Sequence, residues 1–475
     1  MAYLYGASIQ GIQEYIFATN QLKDIVGGSE IIKSFEDKFK DYVGDNGTII
    51  LNAAGNFKAL FDTKEQMQKL VKDFTKDVMQ NAYGITISQA VIEIDDKENI
   101  TKDEYKKLDD NLKIQRNKPT IPLDLGISIL ELAPKSARSL YKYGKNGEKL
   151  DISTYQKQVE YSKWFNEKMK NNPSYKEIKE ISNLSNGKNK IAVIHSDGNG
   201  LGQLVPKLKS KISSFSKNLD EATKKAFEDA SAGNEDKIRE AILGGDDLTL
   251  ICDADIALDF IEKYLKNFEE NTSNINELKE LKDEKYTKLT ACAGIAFCND
   301  KYPFHYAVSL AEELCSLAKD KSKREASCII FHNIQSSNFQ SWEKFEEDEL
   351  TAKFKDKTIK FSFTPYYLNK EPKIHDFRTV VSFYKQDNSP ISKLRNWVGK
   401  LHKNETYAKK LLNRINQISQ NDENWDFDRM SKALEKLDSK LSSHNLLVER
   451  EKNTYYTPIY DVLQILSATK ELKWR

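Results

Sequence analysis

Cysteine is scarce. The 475 residues hold five (Cys252, Cys292, Cys298, Cys315 and Cys328), an odd number with no Cys-x-x-Cys among them. That usage fits reduced thiols in a cytosol and argues against a disulfide frame or a zinc knuckle. Six histidines are scattered without a metal-ligand spacing such as His-x-x-x-His. Neither charge sign dominates: 73 Lys+Arg against 72 Asp+Glu leave a formal +1. A dedicated nucleic-acid coat would be strongly basic. No stretch approaches the roughly 20 apolar residues of a membrane span. Residues 1–6 lack the basic segment and apolar run of a secretory signal. The expectation is a cytoplasmic protein with no membrane contact. Hydrophobic residues still make up 39% of the chain, enough for ordinary cores, and the length suggests about three domains.

The order of elements repeats. Ala2 to Ile9 is a short apolar run, and Ile12 to Val43 is largely helical with a break at Val26-Gly27-Gly28-Ser29. Thr48 to Asn52 and Phe57 to Phe61 are β-rich and flank Ala53-Ala54-Gly55-Asn56, a hairpin signal. Lys64 to Tyr83 has helical spacing, and Ile85 to Ile94 is a strand. This βαββαβ order is ferredoxin-like. Residues 97–120 are charged and read as a solvated helix or linker, and residues 136–189 as a connector. From Lys190 the order returns: the buried strand Ile191 to Ile194 ending at Asp197, helix, two β-rich runs joined by Gly244-Gly245-Asp246-Asp247, helix, strand, helix from Pro303 to Lys319, and strand. Beyond about residue 340 helical periodicity takes over, with Tyr366-Tyr367 expected to anchor these helices on the preceding body. The fold class is α+β: two ferredoxin-like domains, at 1–135 and 190–340, a connector at 136–189, and a helical domain at 341–475.

Three carboxylates stand where metal-dependent phosphoryl transfer needs them. Asp197 ends an apolar strand, and Asp246 and Asp247 sit in a tight turn between two strands. In a βαββ unit the first strand and the hairpin are neighbours, so the three meet in space. Mg²⁺ or Mn²⁺ prefers such hard oxygen ligands, and two ions can activate an attacking hydroxyl and stabilise a leaving pyrophosphate. Gly244 and Gly245 permit positive φ and leave room for a triphosphate. Gly198, Asn199, Gly200 and Gly202 lead into a helix, whose free N–H groups bind phosphate. Lys319 and Lys323, at the end of a later helix, can neutralise triphosphate oxygens. Taken singly, Gly-Gly-Asp-Asp is a good turn and Lys319 an ordinary cation at a helix end; the ordered combination is what favours a site. His195, two residues before Asp197, is expected to pack or cap.

The pieces Ser196-Asp197-Gly198-Asn199-Gly200-Leu201-Gly202, Leu243-Gly244-Gly245-Asp246-Asp247 and Glu313-Leu314-Cys315-Ser316-Leu317-Ala318-Lys319 resemble the catalytic palm of the nucleotidyl cyclase superfamily. Within it they most resemble the large polymerase/cyclase subunit of type III CRISPR effector complexes. The segment from Ile9 to Phe17 and the following Val26-Gly27-Gly28-Ser29 resemble that family's first, degenerate palm. The resemblance implies a synthase joining ATP through 3′–5′ linkages into a cyclic oligoadenylate or cyclic dinucleotide messenger. It implies Asp197, Asp246 and Asp247 as ligands of two metal ions, and Gly28, Ser29, Gly55 and Asn56 in an acceptor-nucleotide pocket. Implied partners are RNA-guided effector subunits with guide and target RNA, or, for a stand-alone enzyme, a downstream messenger-sensing effector. The family's HD nuclease domain and four-cysteine zinc site have no counterpart here: the His-Asp dipeptide is His375-Asp376, and 129–138 lacks cysteine. No DNase activity is expected. A diguanylate-type cyclase using GTP and a non-catalytic scaffold subunit are the competing readings. The turn reads Asp-Asp rather than Asp-Glu-Phe, and one chain holds both palms.

Overall fold

The computed structural model describes residues 2–19, 21–53, 55–97, 100–118, 129–144, 147–171, 177–178, 180–208, 211–281, 283–335, 341–422 and 425–472. Ala54 of the first hairpin and parts of the 97–120 and 136–189 segments lie outside them.

The first sheet is built from Ala2–Gln10, Gly47–Ala53, Asn56–Phe61 and Thr86–Ile94, with Ala2–Gln10 between the last two and Gly47–Ala53 at the edge. All pairs are antiparallel, the ferredoxin-like arrangement. Apolar alternation in Ala2–Gln10 sends Tyr5, Ala7 and Ile9 to one face and Leu4 to the other. Helices Leu22–Val43 and Lys64–Asn81 cover the first face, packing Phe35, Phe39 and Phe74 against Phe57 of the sheet.

Two expectations are corrected. The 22–43 helix runs unbroken through Gly27 and Gly28. A Cβ on Gly27 would lie 1.9 Å from the Lys157 carbonyl oxygen, and one on Gly28 3.3 Å from Lys157 Cε. These glycines let helix Ile152–Asn171 approach closely rather than ending a helix. Residues 102–116 form a capped helix that is not merely solvated. Its Leu108 and Leu112 are buried on the second sheet face against Leu4, Leu60 and Ile92, and Leu108 fills the space above Gly6, which has no side chain.

The second sheet runs Ile238–Gly244, Asp247–Asp253, Lys190–Gly198, Ala291–Asn299, Cys328–Asn333, Tyr366–Tyr367. Its first four strands repeat the ferredoxin-like order, Cys328–Asn333 adds in parallel, and Tyr366–Tyr367 closes the edge. Helix Phe304–Lys321 lies so close to this sheet that a Cβ on Gly294 would meet the Ala311 carbonyl oxygen at 1.9 Å. The Tyr366 ring stacks on Phe331 and Phe377, and its hydroxyl donates to buried Asp461 at 2.8 Å. That strand therefore ties the C-terminal helices to the palm. Those helices (374–384, 391–401, 405–420, 427–437 and 459–468) are joined by a small sheet, Thr351–Lys353, Thr358–Lys360, Thr454–Tyr456 and Val448–Glu451, which the sequence pattern did not suggest. No helix among the described residues is long and apolar enough to cross a membrane.

Candidate functional site

Strand Lys190–Gly198 is buried along most of its length because it sits between two partners, and it delivers Asp197 at its end. The neighbouring hairpin delivers the other two carboxylates. Gly244 pairs with Asp247, leaving Gly245 and Asp246 as a two-residue loop. Of the two glycines only Gly245 has positive φ, at 61°, which fits a loop with glycine first. Helix Ile212–Ser231 braces that loop: Thr223 Oγ1 donates to the Gly245 carbonyl at 2.6 Å, and Gly245 N–H donates to Asp220 Oδ1 at 3.2 Å. A Cβ on Gly198 would lie 2.8 Å from Asp246 Oδ2. Gly198 is thus the gap through which the hairpin carboxylate reaches the first strand.

The electrostatics follow from this crowding. Burial, then the charges of Asp247 and Asp197, push the Asp246 carboxyl far above its ordinary range. Burial and the nearby Asp197 push Asp247 up to about 7, and only Lys319 opposes this. Lys319, itself buried, forms an ion pair with Asp197 and donates to the Gly198 carbonyl at 3.0 Å. The lysine expected beside a triphosphate therefore stands in for a cation at the carboxylates. Among the described residues no group of three or more His, Cys, Asp or Glu side chains is arranged to hold a metal ion. The donors are the hard oxygens that Mg²⁺ or Mn²⁺ takes, and their mutual repulsion favours a cation among them.

Gly200, at φ 78°, starts helix Leu201–Leu208, and a Cβ on Gly202 would meet nothing within 4 Å, so that approach is open. Asn199 turns inward: its N–H donates to the Thr290 carbonyl at 2.7 Å and its Nδ2 to Thr290 Oγ1 at 3.0 Å. Lys323 is exposed in the turn after helix Phe304–Lys321. Asn56 lies across from the hairpin, with its Oδ1 accepting from Ser8 Oγ at 3.0 Å. Gly55 has φ 72°, and its carbonyl accepts from Ile9 N–H at 2.8 Å. Gly28 and Ser29 are buried in the 22–43 helix. His195 is buried and bonded through Nδ1 to Thr249 Oγ1 at 2.9 Å, and burial pulls it down to about 4.

Sequence reasoning missed two contributors. Glu312, one helical face with Lys319, is raised to about 7 by burial and by Asp247. Helix Lys102–Arg116 forms a wall of the site through Asp109, Leu112, Lys113 and Arg116. A cavity of about 490 Å³ lies between the two palms. The first palm supplies Ser8, Asn56 and Lys58; the second supplies Leu201, Val205, Ile212, Phe215, Gly245 and Asp246. Buried Leu108 and Leu112, four residues apart, were the available signal for the third wall.

The site thus lies on a ferredoxin-like domain that faces a second ferredoxin-like domain across the cavity. Residues 190–328 match the family described as Cas10/Cmr2, second palm domain. That segment, the second sheet with its helices, is a Cas10-like palm domain. The fold of the whole chain is similar to the Csm1–Csm4 cassette in complex with pppApA (TM-score 0.55, 13% identity, covering 99% of this chain and 69% of that one). It is equally similar to the cassette in complex with cA3 (0.55, 14%, 99% and 70%). The Csm1–Csm4 subcomplex of the type III-A CRISPR-Csm interference complex gives 0.52 and 14%, covering 98% and 69%. At these identities the likeness is one of fold. No curated protein matches the sequence.

Proposed function

We propose that this chain is a metal-dependent nucleotidyltransferase that joins ATP through 3′–5′ linkages, releasing pyrophosphate, into a cyclic oligoadenylate or cyclic dinucleotide messenger in CRISPR-type or related antiviral defence. One observation carries the reading: the cavity between the palms has Asp246 on one wall and Asn56 on the other. A nucleotide seated there touches both domains. Leu201, Val205, Ile212 and Phe215 offer an apolar surface for a base, and Lys58, Lys113 and Arg116 a cationic rim for phosphates. Gly202 and Gly245 keep backbone accessible to a triphosphate. Asp197, Asp246 and Asp247 would hold two divalent ions. When bound, the ions neutralise the carboxylates, activate the attacking hydroxyl and stabilise the leaving pyrophosphate. Lys319 keeps Asp197 oriented and partly neutralised.

The likeness to Csm1 within the Csm1–Csm4 subcomplex supports partnership with RNA-guided effector subunits carrying guide and target RNA, in the cytoplasm. The test is incubation of purified protein with labelled ATP and Mg²⁺ or Mn²⁺, with products read by mass spectrometry. Cyclic or linear adenylates are expected, and Asp246→Ala/Asp247→Ala should abolish them. Products unchanged in that variant would overturn the assigned site, consumption of GTP alone would point to a diguanylate-type cyclase, and nucleotide binding without turnover under any activator to a scaffold subunit.

A further inference from the structure

Three of the five thiols gather beneath the candidate site. Cys292 is the register partner of Asp197 on one side and of Cys328 on the other. The Cys292 and Cys328 sulfurs are 3.6 Å apart, and Cys315 Sγ donates to the Cys292 carbonyl at 3.2 Å. Adjacent strands run about 4.8 Å apart, inside the roughly 4.4–6.8 Å Cα separation that a disulfide spans. The pair is also wired to both flanks of the carboxylates. Asn199 Nδ2 donates to Cys292 Sγ at 3.4 Å, and Asn199 follows Asp197 and Gly198 directly. On the other flank Cys292 Sγ meets Ser322 Oγ at 3.4 Å, and Ser322 Oγ donates to the carbonyl of Lys319, the residue paired with Asp197. Cys328 Sγ donates to the Ala318 carbonyl at 3.5 Å.

All three thiols are buried, so access needs a local opening. The turn beside them provides one. Lys323 and Arg324 are consecutive non-glycine residues at φ 55° and 59°, a left-handed conformation that side chains disfavour by about 1–2 kcal/mol per residue. The turn runs on to Ala326, whose carbonyl accepts from Cys292 Sγ at 3.6 Å. A strained, exposed turn over a thiol pair opens at low cost.

We propose that Cys292 and Cys328 form an oxidation site at which a peroxide, such as hydrogen peroxide, makes an intrachain disulfide that disables the nucleotide site. One cysteine, as thiolate, attacks a peroxide oxygen, breaking the O–O bond. It becomes a sulfenic acid, and the displaced hydroxide takes up the thiol's proton as water. The second sulfur then attacks the sulfenic sulfur and a second water leaves, so two thiols lose two electrons and two protons and one peroxide becomes two waters. Both S–H donors disappear, and the sulfurs close from 3.6 Å to about 2.05 Å. The Asn199 and Ser322 contacts to Cys292 Sγ shift with the moved sulfur, which disturbs the loop after Asp197 and the end of the Lys319 helix together, while Asn199 keeps its bonds to Thr290. The loss of activity rests on the proposed nucleotidyltransferase reading; the disulfide does not.

The test is peroxide treatment of the reduced full-length protein, followed by non-reducing peptide mapping and assay of ATP turnover and ATP-dependent thermal shift. A Cys292–Cys328 linked peptide, loss of turnover and thermal shift, and recovery of both with dithiothreitol are expected. Cys328→Ser, or Cys328→Ala if the serine variant folds poorly, should keep its turnover under the same treatment. Absence of that peptide, linkage through Cys315 instead, a disulfide that leaves the ATP-dependent shift intact, or inactivation of the Cys328 variant would each overturn the proposal. Should the reduced protein not turn over ATP under any activator, the nucleotidyltransferase reading fails, while the map and the thermal shift still decide the thiol site.

Discussion

Gly198 shows how much one missing side chain carries. The hairpin carboxylate occupies the space a Cβ would need, 2.8 Å from Asp246 Oδ2 and 2.9 Å from Asp246 Cβ, and the backbone of Asp246 is fixed by its brace through Gly245. Gly198→Ala should therefore cost about 1–3 kcal/mol in melting experiments and remove ATP turnover while circular dichroism stays native. An unchanged turnover would mean that Asp246 has another way to reach the first strand. The neighbouring titration gives a second prediction. The folded Asp247 carboxyl sits at about 7, above its ordinary 3.8, mainly through burial and Asp197. The folded state thus binds this proton more tightly than the unfolded chain, so the stabilisation is complete below pH about 4 and is lost as pH rises through about 7. In chelator, Asp247→Asn should melt higher than the parent above pH about 7, with the difference shrinking toward pH about 4. A difference flat with pH would contradict a raised carboxyl. The carboxylates themselves were readable in the sequence because strand, turn and paired Asp follow a local pattern. Glu312 was not, since its role depends on which helical face meets Asp247 and not on its neighbours in the chain.

At the scale of elements, two glycines in helices make opposite demands. Gly27 lies where helix Ile152–Asn171 crosses, and a Cβ there would be 1.9 Å from the Lys157 carbonyl oxygen. Gly399, in helix Ile391–Leu401, would present its Cβ to open space. Helix propensity alone predicts that alanine stabilises both by up to about 1 kcal/mol. The crossing predicts instead that Gly27→Ala lowers the melting temperature while Gly399→Ala raises it. Equal gains would show that the two helices do not pack as described. The same contrast explains what was legible. Alternation and turn residues exposed the strands and hairpins, because these are local signals. The supposed helix break at Gly27-Gly28 was misread because close packing and chain breaking use the same residue. The 102–116 helix looked solvated because its buried face is only Leu108 and Leu112. The small C-terminal sheet pairs Thr358–Lys360 with Thr454–Tyr456 in parallel across a long stretch of helices, and no local pattern announces such a partner.

At the scale of the whole molecule, the cavity belongs to neither palm alone. One contiguous hydrophobic cluster runs from Tyr5 in the first sheet, through Ile194 in the second, to Ile465 in the last helix. A ligand that touches Asn56 and Asp246 together therefore binds a shape that exists only when both palms are docked, and its binding energy adds to the stability of that docking. ATP at a hundredfold excess over its dissociation constant should add about 2.7 kcal/mol, read as a rise in the melting temperature of both palms by hydrogen exchange. Val205 lies in the short helix Leu201–Leu208, is 36% exposed and lines the cavity. Val205→Trp fills that space and leaves the three carboxylates unsubstituted, and it should remove the ATP-dependent rise while leaving the ligand-free melting temperature near the parent's. If ATP protected only the second palm, or if the filled cavity still gave the full rise, the nucleotide would be bound on the hairpin alone and the first palm would serve another purpose.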